Sequence, residues 1–146
     1  RLIEASRGHA RHIIIGARLK DASAIPRIRY IANRIANFWI SWACGQRLED
    51  SQSGFRLYPA DLLPVLSLNH DNTHGFVFES EALIEAARLG YPSLPVAIPA
   101  VYRPGARPSH YRHGDSWHIA RMLIWRLLSR GLYLPGLYRA FFKRAK

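Results

Sequence analysis

The chain has 146 residues, of which 49% are hydrophobic and 12% aromatic, and its formal net charge is +11. This apolar content is sufficient for one compact core and too high for a disordered polycation. The only cysteine, Cys44, excludes an internal disulfide framework. No apolar run approaches the roughly 20 residues of a membrane-spanning helix, and the N-terminus lacks the apolar stretch of a secretory signal. These features favour a basic cytoplasmic α/β protein, and the first residue, Arg1, suggests a fragment or a processed chain.

The first elements are predicted from short local signals. Residues Leu2–Gly8 resemble the end of a helix, and the β-branched run His12–Ala17 is typical of a buried strand. A helix is predicted from Pro26 to Gly45, because proline favours the start of a helix and glycine its end. Apolar residues recur along it at helical spacing, with arginines and asparagines on its other faces. They are Ile28, Ile31, Ala32, Ile35, Ala36, Phe38, Trp39 and Trp42.

The remaining sequence is predicted to alternate short elements with polar loops. Helices are expected over Ala60–Leu66, Phe76–Leu89, Ser116–Arg130 and Pro135–Lys143, the first of them short or kinked because it contains Pro64. Extended segments are expected over Phe55–Tyr58 and Leu94–Tyr102, the second as an edge strand or an irregular strand because it contains prolines. Loops are expected over Gln46–Pro59, Leu68–Gly75 and Arg103–Gly114.

The most informative short stretch runs from Asp50 to Arg56 and reads DSQSGFR. A carboxylate, two hydroxyls, an amide and a guanidinium within seven residues can organise a polar ligand. Gly54 allows close backbone approach, and Phe55 is expected to anchor the loop in the core. The alternative is a capped turn in which Asp50 accepts hydrogen bonds from nearby backbone N–H groups.

Several motifs occur together in one order: DSQSGFR, then GFVFESEALIEAARLGY, VAIPAVYR and RPSHYR. In this order they resemble family 2 glycosyltransferases, most closely the polyprenol-phosphate (dolichol-phosphate mannose synthase-like) branch. The resemblance covers about residues 2 to 112. It implies an α/β fold, the C-terminal half of a GT-A (Rossmann-like) domain, with a short mixed sheet and flanking helices. Residues 1–112 would then form the acceptor side of the domain, and residues 113–146 an amphipathic helical tail.

The family's Asp-x-Asp metal motif has no counterpart in these residues. The resemblance therefore implies that most of the nucleotide-sugar donor, and the Mg²⁺ or Mn²⁺ ion that accompanies it, are held by a half of the domain upstream of Arg1. We expect the 146 residues alone to be inactive in sugar transfer.

The resemblance assigns the acceptor phosphate to three residues. Arg18, Arg29 and Asn33 match the family's phosphate-binding arginine at the end of the strand and the Arg-x-x-x-Ser pair of the following helix, with Asn in place of Ser. Residues four apart lie on one helix face, and two guanidinium groups can hold a phosphate by charge-assisted hydrogen bonds. The alternative is solvated arginines on a surface helix.

The resemblance also assigns the donor side. Arg103 is expected to stabilise the diphosphate leaving group, with Ser109 and His110 in the same mobile loop. Asp50 is the second predicted catalytic residue and is expected to contact the sugar or to orient Arg56. The remaining donor or sugar contacts are assigned to Gln52, Ser53, Gly54 and Arg56.

Acidic and histidine residues form further clusters along the chain. Glu79 and Glu81 are two residues apart on a helix and do not share a face, so one of them is expected to pair with a buried arginine. Two histidine groups have spacings that a metal could use: His70, Asp71 and His74, and also His110, His113, Asp115 and His118. Neither matches a closed zinc pattern. No metal site is therefore predicted in this chain. Of the two groups, the one that contains His110 is the better candidate.

The C-terminal segment mixes arginines and lysines with large aromatic residues and leucines. Helices of this type lie at membrane surfaces, and the alternative is a helix that covers the core. The resulting prediction is a hexosyltransferase at the inner face of the membrane that moves a sugar to a polyprenyl phosphate; a homo-oligomer is among the expected assemblies. Alternatives are a glycosyltransferase with a hydroxyl acceptor, for which Asp50 would be the base, and a nucleic-acid-binding domain suggested by the charge. The absence of a known nucleic-acid motif favours the enzyme.

Overall fold

The computed structural model of the chain describes residues 1–18, 25–68, 75–100 and 113–142. Within these ranges the protein has an α/β architecture with three strands and five α-helices, which confirms the predicted fold class at that level. The short mixed sheet with flanking helices is likewise confirmed.

The sheet is built around one central strand. Strand β1 (Ile13–Ala17) pairs antiparallel with β2 (Arg56–Leu57) and parallel with β3 (Ser93–Ala97), in the order β2-β1-β3. All five residues of β1 are buried, as the β-branched run predicts for a central strand. Strand β3 lies at one end of this order and contains Pro95, which has no N–H to donate to a further strand.

The helices follow in chain order: α1 (Leu2–Gly8), α2 (Arg27–Cys44), α3 (Gly75–Arg88), α4 (His113–Leu128) and α5 (Leu134–Phe142). Gly45 ends α2 in the left-handed conformation, with φ of 66°. The helix predicted over Ala60–Leu66 is wrong, because only a 3-10 turn at Leu63–Val65 forms there. Pro64 explains the difference, since it cannot donate the backbone hydrogen bond that a longer helix needs.

The main core lies between the sheet and helices α2, α3 and α4. Ile13 and Ile15 of the central strand, Ile40 of α2 and Leu83 of α3 are its centre. Helix α4 belongs to the same core and contributes the buried residues Met122, Leu123 and Leu127. Helix α4 therefore covers the core, although it also exposes Trp117 and Trp125.

Two buried carboxylates connect α3 with α4. The Arg126 guanidinium donates to Glu81 Oε1 at 2.6 Å and lies 3.5 Å from Glu85 Oε2. Both carboxylates are almost completely buried. The prediction that Glu79 or Glu81 pairs with a buried arginine is confirmed for Glu79, which lies 3.5 Å from the buried side chain of Arg56. The partner of Glu81, Arg126, keeps 18% of its side chain exposed.

Helix α2 turns its larger apolar residues outward. Ile28 is 84% exposed, and Ile31, Ile35, Phe38 and Trp39 are also exposed. The opposite face is packed and contains the buried polar residues Asn37 and Ser41 in addition to Ile40. None of the described helices is both long and apolar enough to cross a lipid bilayer.

Candidate functional site

The candidate site begins where the central strand ends. Arg18 follows directly on β1, and its backbone N–H and Nε donate to Asp50 Oδ2 at 3.0 and 2.8 Å. Its Nη2 donates to Asp50 Oδ1 at 3.1 Å. Asp50 is fully buried, whereas the Arg18 side chain keeps 27% of its surface exposed. The carboxylate thus fixes a guanidinium plane at an accessible position, by the bidentate geometry that suits this pair.

The loop that carries Asp50 is shaped by a second arginine. Arg56 Nε and Nη2 donate to the carbonyls of Ser53 and Ser51, both at 2.7 Å, and Nη1 donates to the carbonyl of Glu79 at 3.0 Å. The Arg56 side chain is only 2% exposed. We therefore interpret Arg56 as a residue that shapes the loop, in place of the direct sugar contact predicted from the sequence. The expectation that Asp50 orients Arg56 is also corrected, because Asp50 holds Arg18 instead.

Helix α2 is bound to the same loop through polar side chains. Asn37 Oδ1 accepts hydrogen bonds from the Ser51 backbone N–H and hydroxyl, both at 2.6 Å. Asn37 Nδ2 donates to the Glu49 carbonyl at 2.8 Å, and Ser41 Oγ accepts from the Leu48 N–H at 3.0 Å. The loop therefore has a fixed position relative to α2 immediately before and after Asp50.

Four polar residues follow each other on one row of α2 at intervals of four positions. Ser41 and Asn37 contact the loop, and the row continues to Asn33, which is half-buried, and Arg29, which is exposed. A helix rises about 1.5 Å per residue, so Asn33 and Arg29 lie about 6 and 12 Å along the axis from Asn37. The row that is anchored beside Asp50 is thus the row that carries the two predicted phosphate-binding residues.

The other predicted residues of this loop differ in their surroundings. Ser53 is buried, Gln52 is half-buried and Gly54 is exposed. A Cβ built on Gly54 would meet Glu79 Oε1 at 3.7 Å, which is an ordinary van der Waals contact. The space around this position therefore does not require a glycine. The prediction that Phe55 anchors the loop in the core is wrong, because the residue is 62% exposed. Its ring lies beside Gly16 of the central strand instead, where Cδ1 would be 3.2 Å from a Cβ built on that glycine.

Several predicted residues lie outside the described ranges. Arg103, Ser109 and His110 belong to them, as do His70, Asp71 and His74. Among the residues that the structure does describe, no group of three or more His, Cys, Asp or Glu side chains could hold a metal ion. Cys44 is buried in the core, and burial raises the pKa of its thiol to about 12, so it remains a neutral packing residue.

Asn37 is the residue of this site that sequence reasoning missed. Its signal was present, since Arg29, Asn33, Asn37 and Ser41 form one i, i+4 series along the predicted helix.

Comparison of the chain with protein-family models, with curated proteins and with solved structures gave no match in any of the three.

Proposed function

We propose that this chain supplies the acceptor side of an inverting glycosyltransferase that moves a sugar from a nucleotide diphospho-sugar to a polyprenyl phosphate. The observation that supports it best is the bidentate pair between Arg18 and the buried Asp50, on a loop that is hydrogen-bonded to the polar row of α2. An oriented guanidinium with a second arginine and an amide on a neighbouring helix is a suitable arrangement for a phosphate monoester.

In this proposal the acceptor phosphate lies between Arg18 and the outer part of the polar row, at Asn33 and Arg29. One of its oxygens forms a bond to the anomeric carbon of the sugar. The bond from that carbon to the diphosphate oxygen breaks on the opposite side, and the nucleoside diphosphate leaves with the electron pair. Configuration at the anomeric carbon is thereby inverted. The contribution of Arg103 to the leaving group, and of a divalent metal, stays a prediction from the resemblance.

The burial and the hydrogen bonds of Asp50 favour a phosphate over a hydroxyl as acceptor. A hydroxyl acceptor needs a base to take its proton, whereas a phosphate monoester is already ionised near neutral pH. Both carboxylate oxygens of Asp50 accept hydrogen bonds from Arg18, and the group is fully buried. We therefore assign Asp50 the positioning of Arg18 rather than proton transfer.

The experiment that tests the proposal is a calorimetric titration of the chain with a short water-soluble isoprenyl phosphate and, separately, with the matching isoprenyl alcohol. Binding is the readout, since the resemblance assigns donor and metal to residues outside this sequence. We expect the phosphate to bind at least about tenfold more tightly, as hydrogen bonds to a charged group contribute about 1.5–3 kcal/mol each. Equal affinity for phosphate and alcohol, or no binding of either, would contradict a phosphate site.

A further inference from the structure

Two helices carry a continuous exposed apolar surface that the phosphate site does not use. We call it the outer apolar surface; it consists of Ile28, Ile31, Ile35, Phe38 and Trp39 of α2 and Tyr138, Phe141 and Phe142 of α5. The two parts are joined where the rings of Phe38 and Phe141 stack with their centres 4.9 Å apart. On α5 the rings of Tyr138 and Phe142 stack at 5.6 Å.

The exposed fractions show that this surface is not the margin of the core. Ile28 is 84% exposed and Phe142 75%. Helix α2 packs on the core through a different face, where Asn37, Ile40 and Ser41 are buried. Clusters of exposed isoleucine and aromatic side chains on this scale are uncommon on proteins without a partner and mark interaction sites.

The charges beside the surface point to the chemistry of that partner. Helix α2 contains Arg27, Arg29 and Arg34, helix α5 contains Arg139, and neither helix has an aspartate or glutamate. A symmetric contact with a second copy would bring these arginines together without carboxylates of α2 or α5 to pair with them, which disfavours that occupant. Arginines that flank exposed aromatic and aliphatic side chains match the headgroup and acyl regions of an anionic bilayer.

We propose that the outer apolar surface binds the surface of an anionic lipid bilayer, with α2 lying in the plane of the headgroups. Helices that bind in this way bury their apolar face to a depth of about 5–10 Å. The proposal differs from the contact expected for residues 113–146, because its largest part is α2. It goes beyond the proposed function, since it requires no phosphate site.

The test is sedimentation of the chain with vesicles of phosphatidylcholine alone or with added phosphatidylglycerol, without any polyprenyl lipid. We expect the unaltered chain to bind the anionic vesicles and the variant Ile31→Ser/Ile35→Ser to lose about tenfold or more in partition constant. The matched control is Ile124→Ser/Leu128→Ser on the exposed face of α4, for which we expect a change within about twofold. Thermal unfolding of Ile31→Ser/Ile35→Ser shows whether it is folded, and Ile28→Ser supplies a second variant at a more exposed position.

Three results would overturn the proposal. The first is that the unaltered chain does not bind anionic vesicles. The second is that the α4 control loses binding while the α2 variant keeps it, which would assign membrane contact to α4. The third is a dimer in size-exclusion chromatography that Ile31→Ser/Ile35→Ser converts to a monomer, which would identify a second copy as the occupant. The isoleucine substitutions leave Arg18, Asn33 and Arg29 unchanged and the vesicles contain no isoprenyl phosphate, so failure of this proposal is distinguishable from failure of the phosphate site.

Discussion

Helices α2 and α3 both contribute to the core cluster around β1, and they differ in which of their apolar side chains are buried. In α3, Val77, Leu83 and Ile84 are buried, and the carboxylates of Glu81 and Glu85 are buried with them. In α2 the isoleucines Ile28, Ile31 and Ile35 are exposed, whereas Asn37 and Ser41 are buried beside Ile40. An amphipathic helix ordinarily places its apolar row in the core. Helix α3 follows this rule only in part, and α2 hardly follows it.

The difference shows that the available partner decides which face is buried. The carboxylates of α3 are buried because Arg126 of α4 meets both of them. The amide of Asn37 is buried because the loop around Asp50 supplies a backbone N–H, a hydroxyl and a carbonyl to it. Burial of polar groups is tolerated when hydrogen bonds replace those to water. The apolar row of α2 needs no hydrogen-bonding partner, and most of it stays exposed.

The largest change of stability is expected on the α3 side. Replacing Arg126→Ala leaves the carboxylate of Glu81 buried without this guanidinium and removes one partner of Glu85. Loss of one member of a buried ion pair costs about 3–5 kcal/mol in the free energy of unfolding. The measurement is urea unfolding followed by circular dichroism. Arg121→Ala, an exposed arginine of the same helix, is the control and is expected to change stability by less than about 0.5 kcal/mol. Equal effects of the two substitutions would show that the buried cluster does not hold α4 in place.

A smaller effect is expected on the α2 side. Asn37→Ala removes the acceptor of the Ser51 N–H and hydroxyl and the donor to Glu49, and such unsatisfied buried groups cost about 1–3 kcal/mol. Urea unfolding again measures the loss. The matched control is Asn33→Ala, one turn earlier on the same row, which we expect to change stability less and to weaken binding of an isoprenyl phosphate. If Asn33→Ala and Asn37→Ala had the same effect on stability, the division of the row into a loop-binding and a ligand-binding part would be wrong.

Much of the secondary structure could be predicted from the sequence, because its signals are local. The β-branched run His12–Ala17 predicts β1, and Pro26 and Gly45 predict the bounds of α2 within one residue. The 3-10 turn at Leu63–Val65 shows the limit of such signals. Pro64 predicts that a helix is weakened there, but it does not predict how many residues stay helical.

The side-chain pairs of the site could not be predicted in the same way. Arg18 and Asp50 are 32 positions apart, and only the fold shows that they meet rather than Asp50 and Arg56. The outward face of α2 was equally hidden, since its periodicity is that of any amphipathic helix and does not state which side is packed. The exposure of Phe55 has the same cause, because an aromatic residue in a loop can pack over an edge or into the core.

The most direct test of the account is the affinity for a short isoprenyl phosphate after each of two equal changes of charge on α2. Arg29→Gln removes the cation at the end of the polar row, and Arg34→Gln removes an exposed cation outside that row. We predict that Arg29→Gln weakens binding about tenfold or more and that Arg34→Gln weakens it by less than about threefold, as screening reduces the effect of a charge that makes no contact. Equal losses for the two variants, or unchanged affinity of Arg29→Gln, would contradict a phosphate site built on Arg18 and the polar row of α2.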